Sequence, residues 1–443
     1  MRDASTVGPV CLQLYNPKDN GVGPLPASED CLTLNVWTPA KAPAKVNGRL
    51  PVMVWIHGGG FVNGSGTAAL YDGAALARQG VVVVTLNYRL GRFGFFAHPA
   101  LTAESPSGPI ANYALMDQIA ALRWVQTNIA AFGGDPKQVT IFGESAGGIA
   151  VNTLMISPAA RGLFTKAIVE SGAGRSFYPR LARLNTSGTP SAEDRGLAFL
   201  KSIGVEAKDV ATLRAIPADK IAAAPDPSVF DGFGPIVDGR IVPMSVPDAF
   251  AQALEAPVPY IAGSNSLEFP IPAAQLSGAL TGLLQLAPAA QGELAKAYPD
   301  RTTFEAHVLS DIIFGEPARS LAALHAANGR PTFLYRFSAL SPSMRGKLLG
   351  APHASEREYV FETLGSSPWP TGGDDAKIAA AMSGYWTTFA KRGDPNGGGR
   401  VKWPAYREGS DELLNFTDSG AVAQKTPDAA SLDAINALQG KAR

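Results

Sequence analysis

Short, nearly unbroken apolar runs alternate along the chain with longer stretches in which apolar residues return every three or four positions. Leu32 to Trp37, Pro51 to His57 and Val81 to Asn87 read as strands, the last two so uniformly apolar that both of their faces must be covered. Between Asn112 and Phe132, Leu115, Ile119, Leu122, Val125 and Ile129 recur at helical spacing, and Gly133-Gly134-Asp135-Pro136 stops that helix. A strand at Val139 to Phe142 follows, then a helix from Ser145 and a strand near Lys166 to Glu170. Val258 to Gly263 and Thr332 to Phe337 read as two more strands, separated by alanine-rich helical sequence from about Phe304 to Ala327. Strand and helix in alternation predict a doubly wound, mostly parallel α/β sheet.

Two stretches break the alternation. Gly174 to Pro257 is rich in Pro, Ala and Asp, and Leu267 to Pro299 is similarly irregular. The chain therefore reads as one α/β domain over residues 1–443, with helical cap insertions near 174–257 and 267–330 that roof a site; no internal repeat is present.

Composition narrows the partners. Apolar residues make up 46% of the chain and charged residues 17%, with a mean hydropathy of +0.03, so a large core can be buried. The 38 basic and 38 acidic residues cancel and form no long run of one sign, which removes the electrostatic footprint of a nucleic-acid or anionic-membrane binder. A small molecule is the expected partner. Met1-Arg2-Asp3-Ala4-Ser5-Thr6 has no apolar core of a signal peptide, and no apolar run is long enough for a bilayer, so neither targeting nor membrane insertion is expected of this chain. Two cysteines, Cys11 and Cys31, stand in a segment rich in Pro, Gly and Asn; their spacing alone fits two thiols as well as one bridge.

The candidate chemistry begins at Gly143-Glu144-Ser145-Ala146-Gly147, a G-x-S-x-G pentapeptide set between a strand and a helix. In that context it reads as a nucleophile elbow, whose tight turn exposes the serine oxygen and whose glycines let strand and helix approach. A serine is a poor nucleophile without a histidine base and an acid to orient it. Of five histidines, His57 and His98 precede the elbow, while His307 and His325 fall in predicted helices, where a satisfied helical histidine is the simpler reading. His353 lies in the irregular segment Gly350-Ala351-Pro352-His353 beyond the strand at Thr332 to Phe337, where the chain order Ser, acid, His places the base. Glu268 is the first carboxylate after the strand at Val258 to Gly263; Asp231 and Asp238 compete for the acid but precede that strand. His57-Gly58-Gly59-Gly60-Phe61 supplies candidate oxyanion donors, with the amides of Gly59 and Gly60 joined by that of Ala146. Nothing in the set calls for a metal or cofactor.

These residues, with several further blocks, resemble the type B carboxylesterases of the α/β-hydrolase superfamily, the group that includes the cholinesterases. The matching blocks are Ser28 to Trp37, Asn87 to Gly91, Asp117-Gln118, Phe132 to Pro136 and Phe142 to Gly148, then Gly263, Asn265 and Glu268, then Gly350, Ala351 and His353. Phe389 to Asn396 and Trp403-Pro404 resemble its C-terminal signature. The resemblance implies a serine carboxylesterase working through an acyl-enzyme, with the α/β-hydrolase fold. It also implies a disulfide between Cys11 and Cys31, contributing about 3 kcal/mol on the chain-entropy model and pointing to a secreted or periplasmic setting. Family members carry some tens of residues before the first of these cysteines, including a small sheet, so a shortened or processed form, or a fold without that sheet, is expected. Residues 12 to 30 contain no tryptophan of the kind that holds choline, so a choline ester is not the expected substrate. By the same resemblance Phe177 or Tyr178 falls near the acyl pocket and Phe61 near the oxyanion hole, although each also reads as plain core; Arg175 faces either an anionic acyl group or solvent. A lipase acting on lipid esters and a non-catalytic adhesion protein on the same fold are the alternatives, the second opposed by the presence of Ser145, Glu268 and His353.

Overall fold

The computed structural model describes residues 4, 6–13, 26–39, 48–108, 110–175, 179–182, 190–224, 234–269, 275, 278 and 288–441. The chain forms two compact units, Met1–Thr165 with Ser176–Ala256, and Lys166–Arg175 with Pro257–Arg443.

In the first unit, β1 (Val10–Cys11) and β2 (Ala27–Ser28) form a short parallel ladder, and Cys11 is disulfide-bonded to Cys31. The bridge that the family resemblance implied is therefore present, and both of its cysteines are buried. The main strands are β3 (Leu34–Trp37), β4 (Leu50–Ile56), β5 (Val82–Leu86) and β6 (Gly134–Glu144), in the spatial order β6-β4-β5-β3. The pairs of β4 with β5 and β6 are parallel, and β3 closes that side antiparallel to β5. Val52 to Ile56 and Val82 to Val84 are fully buried, as expected of β-branched runs in the middle of a sheet. Strand β6 begins five residues before the expected Val139, because Leu50 pairs with Gly134 and a register shift then brings Val52 opposite Val139. The helix Tyr113–Asn128 buries Leu115, Ile119, Leu122 and Val125; a 3-10 turn, Ile129–Phe132, and the left-handed Gly133 (φ 83°) end it. On the same helix, Asp117 accepts two hydrogen bonds from the Arg89 guanidinium, from Nε at 2.8 Å and Nη2 at 2.7 Å.

Over 174–257, where helical insertions are expected to interrupt the strand and helix alternation, the described residues form short helices, Ala192–Ser202, Val210–Arg214, Ala218–Ala222 and Val246–Ala251. Ser191, Asp209 and Ser245 cap three of them through side-chain oxygens.

The second unit is built on β7 (Lys166–Glu170), β8 (Tyr260–Asn265), β9 (Thr332–Phe337), β10 (Glu412–Thr417) and β11 (Gly420–Lys425), in the order β11-β10-β9-β8-β7. All its pairs are parallel except the β10–β11 hairpin. Gly263 on β8 faces Tyr335 on β9, whose ring occupies the space where a side chain at 263 would stand. Behind these strands Tyr335, Tyr385, Trp386, Trp403 and Phe416 pack edge to face, and the Trp386 indole donates to Glu170 at 2.7 Å. Helices Arg301–Ser310 and Glu316–Ala327 run into one another through a π-helical turn, Asp311–Gly315. Among the described residues no helix is long and apolar enough to cross a membrane.

Candidate active site

Strand β6 delivers Glu144, and the next residue, Ser145, sits at φ 56° and ψ −123° before the helix Ala146–Ile156 begins. A non-glycine residue held there stores about 1–3 kcal/mol of backbone strain, which persists only because the surroundings fix it. They do so through missing side chains. A Cβ on Gly143 would lie 2.6 Å from the Ile56 carbonyl oxygen, and one on Gly147 would collide with that same oxygen. The strand-to-helix turn is therefore pressed against the end of β4, and Ser145 is turned out of line.

The loop after β4 also packs on the elbow. A Cβ on Gly58 would lie 2.8 Å from the Glu144 carbonyl oxygen and 3.1 Å from Ser145 Cβ. Gly59, Gly60 and Phe61 all take positive φ (103°, 61° and 62°), reversing the chain, and the Gly59 carbonyl accepts from the amides of Val62 and Asn63, each at 3.0 Å. The Ala146 amide belongs to the first turn of its helix, where backbone donors have no acceptor four residues earlier. Phe61 itself is buried, its ring edge-on to Tyr88 and Phe95. His57 is buried and stacked on Tyr88 at 4.3 Å; burial pulls its pKa down to about 4, although its Nδ1 donates to the Gly58 carbonyl at 2.8 Å. A neutral imidazole in this setting braces the glycine loop.

In the second unit, the end of β8 carries Asn265 and then Glu268, and Glu268 is buried. One carboxylate oxygen, Oε2, accepts from His353 Nδ1 at 2.6 Å. The other, Oε1, accepts from the Ser171 hydroxyl and from the Asn265 amide, each at 2.6 Å. The loop that carries His353 is tied to the same segment: His353 N donates to the Glu268 carbonyl at 3.0 Å, Leu267 N to that of Ala351 at 3.0 Å, and Ala351 N to Ser266 Oγ at 2.8 Å. Asn265 Nδ2 donates to the Pro352 carbonyl at 2.8 Å and to the buried carboxylate of Glu356. With Nδ1 committed to Glu268, the imidazole is fixed as the tautomer whose Nε2 can accept a proton.

Asn265 stands in a block that carries the family resemblance, whereas Ser171 and Glu356 are not legible as site residues from local pattern. Ser171 follows β7 at φ 45° and meets Glu268 from 97 positions away. The other candidates have structural work. His98 Nδ1 accepts the Ala100 amide at a helix start, His325 Nε2 donates to the Val258 carbonyl at 2.8 Å, and Asp238 Oδ1 accepts the amides of Arg240 and Val242. Burial lowers the His307 pKa, with Arg336 acting in the same direction. Arg175, considered as a partner for an anionic acyl group, instead donates to both oxygens of the buried Glu316 and to Ser320 and Asn436. Phe177, Tyr178 and Asp231 lie outside the described residues.

Comparison with known proteins bears on what this geometry serves. The profile of the Carboxylesterase family matches residues 1–287 and 290–434. The chain is 37% identical to the para-nitrobenzyl esterase of Bacillus subtilis (strain 168), over 96% of this chain and 87% of that protein. It is 35% identical to the fumonisin B1 esterase of Sphingopyxis macrogoltabida, over 94% and 77% respectively. Among solved structures, a thermophilic PNB esterase superposes with a TM-score of 0.83 at 33% identity, covering 97% of this chain and 88% of that one. A carboxylesterase of Geobacillus stearothermophilus gives 0.80 at 31% identity, with 98% and 89% covered.

Proposed function

From the premise that the chain belongs to the carboxylesterase family and has its α/β-hydrolase fold, we propose that Ser145, His353 and Glu268 form the catalytic triad of this carboxylic ester hydrolase. Its substrates are small-molecule carboxylic esters. His353 Nε2 takes the proton of Ser145 as the serine oxygen attacks the ester carbonyl. Glu268 holds the tautomer through Nδ1 and stabilises the imidazolium. The amides of Gly59, Gly60 and Ala146 receive the oxyanion, each donor worth roughly 2.7–4 kcal/mol in the transition state. The imidazolium then protonates the departing alcohol, and water, activated by the same imidazole, releases the acid from the acyl-enzyme.

The observation that carries this reading is the strained Ser145 at the head of a helix, read together with the carboxylate-to-imidazole bond of Glu268 and His353. The direct test is turnover of p-nitrophenyl butyrate by wild type and by Ser145→Ala. The serine variant should lose about 10⁴-fold or more in kcat while keeping its melting temperature. Wild-type rates in Ser145→Ala would remove the serine from the mechanism.

A further inference from the structure

Two phenylalanines meet the imidazole that Glu268 holds. The ring of Phe269 lies 4.4 Å from that of His353 at a tilt of 36°, and the ring of Phe314 lies 4.9 Å away at 35°. The phenyl rings are 5.6 Å from each other, so the three rings form a compact triangle, with both phenylalanines to one side of the imidazole. Their backbones are fixed at one place in the fold. Phe269 N donates to Ser310 Oγ at 3.1 Å, at the end of helix Arg301–Ser310, and Phe314 belongs to the π-helical turn that follows directly. Asp311 opens that turn and accepts from the Tyr298 hydroxyl at 2.8 Å. Such turns are rare and gather at functional sites, where the extra residue redirects a side chain.

The hydrogen bond at Nδ1 fixes the tautomer of the imidazole, and the two phenyl rings pack against the same ring. Ring contacts at these distances are individually modest, yet an imidazole that must serve two proton transfers in opposite directions needs an orientation held within a fraction of an ångström. We propose that Phe269 and Phe314 are positioning residues of ester hydrolysis, an aromatic wall that holds the His353 imidazole with Nε2 aimed at the reacting oxygens. This rests on the reading of His353 as the general base. The wall matters most when the leaving group is a poor one. An alkoxide cannot depart without the proton from the imidazolium, whereas p-nitrophenolate departs without it.

Phe269 is 37% exposed and Phe314 only 5%, so truncating Phe269 leaves no sealed cavity and is the cleaner probe. The experiment compares kcat/KM for ethyl butyrate and p-nitrophenyl butyrate in wild type, Phe269→Ala, Phe269→Tyr and Phe314→Leu. Phe269→Ala should lose about tenfold on the ethyl ester and less than about threefold on the p-nitrophenyl ester, and Phe269→Tyr should restore both. Phe314→Leu should act in the same sense; if it unfolds, the Phe269 pair decides. No loss on either ester, or a change confined to KM, would overturn the positioning role. In a His353→Ala background Phe269→Ala should cost nothing further; a further loss there would also overturn it. Wild-type activity in His353→Ala itself would instead remove the assignment of the base.

Discussion

Ser171 shows how much of the site depends on a single hydroxyl. It is fully buried, held at positive φ, and donates to the oxygen of Glu268 that does not face His353. With the Asn265 amide it fixes the carboxylate so that Oε2 points at the imidazole. Ser171→Ala removes one buried hydrogen bond to a charged acceptor, worth about 1.5–3 kcal/mol. The expected result is a kcat lowered about tenfold or more with little change in KM, together with a lower unfolding midpoint; unchanged kcat with lowered stability would make Ser171 purely structural. Nothing near Ser171 in the sequence announces this contact. The pairing of Glu268 with His353 is legible because strand order restricts where the two residues can stand, while Ser171 reaches Glu268 from another segment. Arg175 teaches the converse: an arginine beside a predicted pocket is already held by Glu316.

At the scale of elements, the strand-to-helix turn at Ser145 is built by exclusion of side chains. Gly147→Ala drives a methyl group into the Ile56 carbonyl, and small-to-large changes in tight sites cost about 1–3 kcal/mol. Among the described residues, no atom lies within 4 Å of a Cβ added at Gly292, in helix Pro288–Ala295. Gly292→Ala should therefore be neutral or stabilising by up to about 1 kcal/mol, whereas Gly147→Ala should lower the urea midpoint and abolish most turnover. Equal midpoints for the two variants would contradict the packing argument. Strands β7 and β9 match the expected runs residue for residue, because each is a dense apolar stretch with clear ends. The start of β6 was missed because Asp135, Lys137 and Gln138 are polar and their pairing is set by β4. The β10–β11 hairpin and the bounds of the helices Val210–Arg214, Ala218–Ala222 and Val246–Ala251 are not legible in the sequence, because five or six residues carry too little periodicity.

For the molecule as a whole, two buried groups make opposite contributions to stability over nearly the same pH range. Burial lowers the His57 pKa to about 4, so its contribution is present above the ordinary histidine value of about 6.5 and is lost as pH falls toward 4. Burial raises the Asp311 pKa to about 7, so its contribution is full below the ordinary value of about 4 and is lost as pH rises toward 7. The two slopes offset one another, each up to about 1.4 kcal/mol per pH unit, so wild-type stability alone reveals neither. Asp311→Asn removes one of them: relative to wild type, its unfolding free energy should climb between pH 4 and about pH 7 and then level off. Parallel unfolding curves for the two proteins across that range would show that Asp311 does not change its proton on folding. The sequence by itself determined the family, the parallel α/β architecture and the reaction class, because these rest on apolar periodicity and on motifs a few residues long. Only the tertiary structure decided what holds Glu268 and His353 in place: Ser171 and Asn265 on the carboxylate, Phe269 and Phe314 against the imidazole. Those contacts join segments far apart in the chain, and their energies depend on distance and burial, which a linear pattern does not encode.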